Sequence, residues 1–166
     1  MVFSADHGDM QGSHGMKNKC LPYERSCGIP LIVKVPWLEQ KRVVETPVSA
    51  VDLYPTCMEL AGEASKKELP GESLLGLLSG TAAKHRPVFA ENHMTQQPWY
   101  LLRDSRFKLV ADADSLIPRL LFDMENDPEE AENLISDQMC IRDSSRAFLT
   151  AIGKYIRSEL LENFIL

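Results

Sequence analysis

Three side chains near the start of the chain have types that could do chemistry together. Asp6 offers hard carboxylate oxygens, His7 an imidazole nitrogen, and Lys19, thirteen residues after Asp6, a compact ammonium. A carboxylate beside an imidazole is metal-ligand chemistry, and the lysine adds a cation close behind the pair. Gly8 follows the pair and lets the backbone turn sharply beside it. In isolation, Asp6-His7-Gly8 is equally a solvated turn in which Asp6 bonds its own backbone. The surroundings favour ligands. Val2 and Phe3 look like the tail of a buried strand that ends at the pair. Gly12-Ser13-His14-Gly15 supplies a second flexible turn, Lys17 and Lys19 put cations behind the acids, and Tyr23-Glu24 leads into the apolar run from Ile29 to Pro36.

The order Ser4-Ala5-Asp6-His7-Gly8-Asp9-Met10-Gln11-Gly12-Ser13-His14-Gly15, then Lys19, Tyr23-Glu24 and Ile29-Pro30-Leu31-Ile32, resembles a segment of the sulfatases of the alkaline-phosphatase superfamily. That segment runs close to S-D-H-G-D-x-x-G-x-H-G, then lysine, Y-E and V-P-L-I. Val48 to Thr56 with Leu60-Ala61-Gly62 resembles the family's V-D-L-x-P-T helix, and Leu69 to Leu75 its G-x-S-L-L stretch. Trp99 to Val110 and Leu121 to Glu130 look like its closing hairpin and N-D-P-x-E turn. The likeness covers roughly residues 1 to 136.

The resemblance implies an α/β fold, the C-terminal part of an alkaline-phosphatase-like sandwich, with a small antiparallel C-terminal sheet and a terminal helix. It implies a sulfuric ester hydrolase that uses a divalent cation, calcium in most of the family, and a formylglycine nucleophile. Carried over by position, Asp6 and His7 are metal ligands, and Lys19 is the catalytic cation on a sulfate oxygen. His14 is a substrate-binding candidate beside its plainer role as a turn histidine. Histidine on calcium is unusual by hard-soft preference, so a manganese-like ion is the alternative. The implied substrate is a sulfated small molecule or carbohydrate. Departures are mild: Ala5 precedes Asp6 where serine is more common, and Gly28 stands where an arginine is common, which removes a cation from the site or its supporting network.

The nucleophile segment C-x-P-x-R is absent. Of Cys20, Cys27, Cys57 and Cys140, only Cys20-Leu21-Pro22-Tyr23-Glu24-Arg25 imitates it, and its arginine falls one place late. The paired aspartates of a complete enzyme are absent as well. The chain is therefore expected to be a piece of a longer enzyme, inactive alone. A phosphonate or phosphate ester hydrolase of the same superfamily and a non-catalytic fragment are the alternatives.

Composition agrees with a folded chain. At 166 residues with 44% hydrophobic content it can bury a core, which excludes wholesale disorder. A net charge of −6 without a basic cluster argues against a nucleic-acid partner. No apolar run reaches membrane-spanning length and no signal peptide stands at Met1, while the cellular compartment stays open. The cysteines form no disulfide framework or zinc pattern.

The elements that must position these side chains fall in two parts. Residues 1–80 read as the end of a catalytic α/β domain, with strands near 1–4 and 30–35, a helix over Val51–Ala61 and a short one over Ser73–Leu78. Leu53, Cys57, Leu60 and Ala61 mark the longer helix's expected core face. A polar joint at 81–86 leads to a small antiparallel subdomain over 86–136, with strands near 87–90, 99–102, 107–110 and 120–122. Trp99, Tyr100 and Phe107 are expected in its core, with a substrate rim as the sharper alternative. Glu91-Asn92-His93 is a loop candidate for substrate selection, and Asn126 to Glu130 suits a turn entering a helix. Met139 to Ser144 can be encoded by bases resembling a transposase end used in sequencing libraries, so it reads as an assembly junction and Cys140 carries no functional weight. Residues 145–166 show helical spacing of apolar side chains, and their origin in the same gene is an open question.

Overall fold

The computed structural model describes residues 1–38, 41–63, 71–82 and 87–136. The expected junction at 139–144, Cys140, the helix at 145–166 and most of the joint at 81–86 lie outside the described residues. Two compact units are present: Met1–Phe89 with Arg103–Ser105, and Ala90–Leu102 with Arg106 onward.

In the first unit, strand β1 (Val2–Ser4) pairs antiparallel with β2 (Leu31–Val33), Val2 opposite Val33 and Ser4 opposite Leu31. The expectation of a buried strand is corrected here: β2 is the one neighbour of β1 in its two-stranded sheet, and Phe3 and Ile32 are 55% and 56% exposed. Helix α1 (Glu24–Cys27) follows, and a 3₁₀ turn at Ala50–Asp52 runs into α2 (Leu53–Leu60).

The buried face of α2 also departs from expectation, because Cys57 and Ala61 are exposed while Asp52 and Thr56 are each 1% exposed. Their polar atoms explain the choice. Asp52 accepts the Ser49 N–H at 2.8 Å and the Glu72 N–H at 2.9 Å; Thr56 Oγ1 accepts the Leu74 N–H at 2.9 Å and donates to the Asp52 carbonyl. Buried donors that would otherwise go unpaired are thereby satisfied across eighteen to twenty residues of sequence. Gly71 completes the interlock, since a Cβ there would fall 2.1 Å from the Val51 carbonyl oxygen. Helix α3 (Leu75–Ser79) closes the segment.

A four-stranded sheet, most of whose residues belong to the second unit, runs in the order β3 (Val88–Asn92), β4 (Trp99–Arg103), β5 (Phe107–Asp112), β6 (Pro118–Asp123). β5 and β6 are antiparallel, with Leu109 opposite Leu121 and a register shift between Val110 and Ala111. The shift falls where Ala111 meets Pro118, which has no N–H to give the ladder. Lys108 through Ala111 are consecutively buried, so both faces of β5 are covered. Trp99 is 5% exposed and belongs to the core, not to a rim. The turn after β6 leads to a 3₁₀ turn at Leu134–Ser136 and not into the expected helix.

Acidic residues in that turn are consumed locally. Asp123 accepts from Arg106 Nη2 at 2.8 Å, Asn126 Nδ2 at 2.9 Å and the Glu125 N–H at 3.2 Å. Asp127 accepts the N–H groups of Ala131 and Glu132 at 3.0 and 2.8 Å. Asn133 serves the edge of β6, taking the Leu121 N–H at 3.0 Å and giving a hydrogen to the Arg119 carbonyl at 3.1 Å. Glu130 turns inward, where its Oε1 lies 2.6 Å from Lys108 Nζ with both side chains buried.

Candidate functional site

β1 ends at Ser4 and releases the chain into the Asp6-His7-Gly8 turn. Asp6 Oδ1 accepts the His7 N–H at 3.0 Å, so the plain turn reading holds for one carboxylate oxygen. Oδ2 instead lies 3.5 Å from His7 Nε2. Lys19 Nζ stands 2.7 Å from that same nitrogen, and His7 Nδ1 is 2.7 Å from the Gly8 carbonyl oxygen.

These two contacts settle the imidazole tautomer. An ammonium only donates, so Nε2 accepts and the ring proton sits on Nδ1, where it is given to Gly8. A ring whose Nδ1–H is held by a carbonyl presents its Nε2 lone pair outward, the arrangement that orients metal-ligating histidines. Spacing also fits a cation: two donors each about 2.4 Å from one ion at a right angle lie about 3.4 Å apart, close to the 3.5 Å between Asp6 Oδ2 and His7 Nε2. Among the described residues no group of three or more His, Cys, Asp or Glu is placed to hold a metal.

Lys19 reaches His7 because the intervening loop is closed. Met10, 1% exposed, gives its N–H to the Asn18 carbonyl at 2.8 Å and accepts the Ser13 N–H at 2.8 Å, while Gly12 bonds Met16 at 2.8 Å. Gln11, His14 and Asn18 adopt positive φ within this loop, as does Gly12. His14 is brought to Tyr23, stacking on its ring at 4.3 Å between centroids, and is exposed. That contact belongs to loop support, and no geometry here ties His14 to Asp6, His7 or Lys19.

The turn is held from behind by α1. Gly8 donates its N–H to the Ser26 carbonyl at 2.9 Å, and a Cβ on Gly8 would fall 2.1 Å from the Arg25 carbonyl oxygen. Ser26, 3% exposed, also accepts the Leu21 N–H on its hydroxyl at 3.1 Å. Met10 and Ser26 are therefore supports that motif reading passes over; their one sequence signal is a small polar and a large apolar residue at fixed offsets from the Asp-His pair. Cys20, Cys27 and Cys57 form no disulfide, and Cys20 lies at positive φ on the loop before α1.

Glu91-Asn92-His93, expected as a loop, belongs to the second unit, with Glu91 and Asn92 at the end of β3 and His93 directly after it. Glu91 Oε2 lies 3.4 Å from His93 Nε2, and the His93 ring meets Tyr100 edge-on at 5.4 Å. Burial, reinforced by the charges of Glu91 and Asp114, pushes the Tyr100 hydroxyl above its ordinary value. No helix among the described residues is long and apolar enough to cross a membrane.

A family description for the C-terminal part of N-sulphoglucosamine sulphohydrolase matches residues 12–147. Arylsulfatase K from Mus musculus is 36% identical over 149 residues, covering 82% of this chain and 27% of its own length. A solved phosphonate monoester hydrolase from Silicibacter pomeroyi superposes with a TM-score of 0.77 at 28% identity, covering 94% of this chain and 34% of its own. A protein solved in complex with its substrate D-glucosamine-2-N,6-O-disulfate shares the fold, with a TM-score of 0.72 at 22% identity, covering 98% of this chain and 35% of its own. The chain thus spans about a quarter of the curated relative and about a third of the solved structures it matches.

Proposed function

Because the chain belongs to the sulfatase family, with an alkaline-phosphatase-like α/β fold, we propose that it carries half of a sulfuric ester hydrolase site. In this reading Asp6 and His7 hold a divalent cation, calcium by family habit, and Lys19 binds an oxygen of the sulfuryl group. The convergence of Asp6 Oδ2 and Lys19 Nζ on His7 Nε2, at 3.5 and 2.7 Å, carries the proposal. The cation, when bound, supplies charge to a crowded anionic transition state.

What the chain's own groups contribute follows from their present contacts. Gly8 fixes the His7 ring through its carbonyl, so the Nε2 lone pair keeps its direction. Were Nε2 to hold a cation, Lys19 would be left to offer its ammonium to an oxyanion instead. The nucleophile, a formylglycine, and further carboxylate ligands belong to sequence outside this chain. The substrate is a sulfated carbohydrate, a reading supported by the sulfated glucosamine held by a protein of the same fold. His14 acts through the loop it braces.

A phosphonate or phosphate ester hydrolase is the second reading, favoured by the likeness to the phosphonate monoester hydrolase. The two are separated by assaying the complete gene product for inorganic sulfate release from sulfated glucosamine and for phenol release from phenyl phosphonate. Sulfate release that Asp6→Ala abolishes and Lys19→Ala lowers by about 10²-fold or more is the expected result. Unchanged turnover in the Asp6 variant overturns the site; phenol release alone moves the activity to the second reading.

A further inference from the structure

Within the first unit, one ion pair stands behind the Asp6-His7 turn and is not explained by local folding. Arg103 Nη1 lies 3.0 Å from Glu24 Oε1, with the two side chains 23% and 35% exposed. Seventy-nine residues separate them in sequence. The buried Nη1 atom makes no hydrogen bond, so its attraction to the carboxylate is one of charge and not of directed bonding. Glu24 opens helix α1, whose next two residues provide the carbonyls that confine Gly8: Ser26 accepts its N–H and Arg25 leaves no room for a Cβ. Position 28, where a cation was expected, is closed to side chains in this conformation, because a Cβ on Gly28 would fall 2.6 Å from the Glu24 carbonyl and 3.1 Å from Glu24 Oε2.

We propose that Arg103 is a positioning residue for the Asp6-His7 turn, supplying through Glu24 the charge that holds α1 against Gly8 in a chain with no arginine at position 28. The chain of contact is continuous: Arg103 to Glu24, Glu24 through two residues of helix to Ser26, Ser26 to Gly8, and Gly8 by its carbonyl to the His7 ring. That this turn serves an enzyme rests on the function proposed above; the tether itself does not.

Amide exchange of the whole chain, followed by NMR together with the His7 ring signals, tests the tether directly. Arg103→Gln and Glu24→Gln are each expected to speed exchange of the Gly8 amide about threefold to tenfold and to shift the His7 ring signals. Exchange at Leu109 and Val110 in the β5 core stays unchanged, which separates local loosening from global destabilisation. Arg103→Lys and the charge-swapped double variant Arg103→Glu with Glu24→Arg are expected to restore protection to within about twofold. Arg106→Gln, which removes a comparable ion pair to Asp123 elsewhere, leaves Gly8 unaffected. A Gly8 rate unaltered in Arg103→Gln, or a swapped double no better than either single charge reversal, overturns the proposal. Titration with Mn²⁺ reads the function separately: failure to broaden His7 in the unaltered chain counts against the cation site while leaving the tether result intact.

Discussion

Replacing Lys108 with methionine removes the ammonium that faces Glu130 in the second unit, and the cost is set by how thoroughly both groups are buried. Their side chains are 0% and 2% exposed and the contact is 2.6 Å. A carboxylate left in that interior without its ammonium is the expensive case, about 3–5 kcal/mol, whereas the intact pair is worth little more than apolar packing of the same volume. The double variant Lys108→Met with Glu130→Met should therefore recover most of the loss, ending within about 1–2 kcal/mol of the original chain. Glu130 sits at φ 58°, and the single variant keeps that residue, so its loss involves no change of residue type at the strained position. Urea unfolding followed by tryptophan fluorescence reads this directly, because Trp99 is buried in β4 and changes environment on unfolding, while Trp37 is 63% exposed and changes less. With a slope of about 2 kcal/mol per molar urea, the single variant's midpoint should fall by about 1.5–2.5 M. A drop below about 0.5 M, or a double variant that loses the sum of two single losses, would refute the claim that a buried carboxylate parted from its ammonium, and not lost packing, dominates.

Two further outcomes follow from the geometry. Gly8→Ala puts a methyl 2.1 Å from the Arg25 carbonyl oxygen, where backbone must move; loss of the His7–Lys19 contact, seen as a change in the His7 ring signals, is expected with a destabilisation of about 1–3 kcal/mol, and an unperturbed His7 spectrum contradicts it. Hydrogen bonds from Arg106, then from Asn126 and the Glu125 N–H, hold the Asp123 carboxyl down at about 2 against an ordinary 3.8. The folded chain thus binds that proton more weakly than the unfolded one, so the stability it contributes is complete above about pH 4 and drains away as pH falls toward 2. Arg106→Gln should flatten that part of the pH–stability curve, and identical slopes in the two proteins would exclude the assignment.

The side chains of the candidate site were legible because their types and offsets are local: Asp6, His7 and Lys19 sit within one closed loop, and Asp6 and Lys19 both lie close to the same His7 ring nitrogen. The strands of the second unit were legible for a related reason, since alternation and turn residues mark β4, β5 and β6 within a few positions of their ends. What escaped were residues whose role is fixed at long sequence range. Hydrophobic periodicity puts Cys57 and Ala61 of α2 inside, yet Asp52 and Thr56 are buried because backbone N–H groups at Glu72 and Leu74 need acceptors. Lys108 is a charged residue buried on a strand, and Glu130, twenty-two residues on, supplies a carboxylate to its ammonium.

The same division runs through the candidate site and bears on how it would fail. The proposed donors should tolerate little change in type, since a carboxylate of this length and a neutral imidazole nitrogen each come from one side chain. Supports tolerate changes of type provided one physical requirement is met: no Cβ at Gly8, an acceptor at Ser26 for the Leu21 N–H, an apolar body at Met10, opposite charges at Glu24 and Arg103. A donor lost should leave the fold intact and the cation unbound, whereas a support lost should loosen the turn and weaken cation binding by the fraction of time the turn is misplaced. Mn²⁺ titration of Asp6→Ala beside Ser26→Ala, with exchange at Gly8 as the companion measurement, distinguishes the two classes. Weak binding with unaltered Gly8 protection marks a donor, and weak binding in proportion to lost protection marks a support.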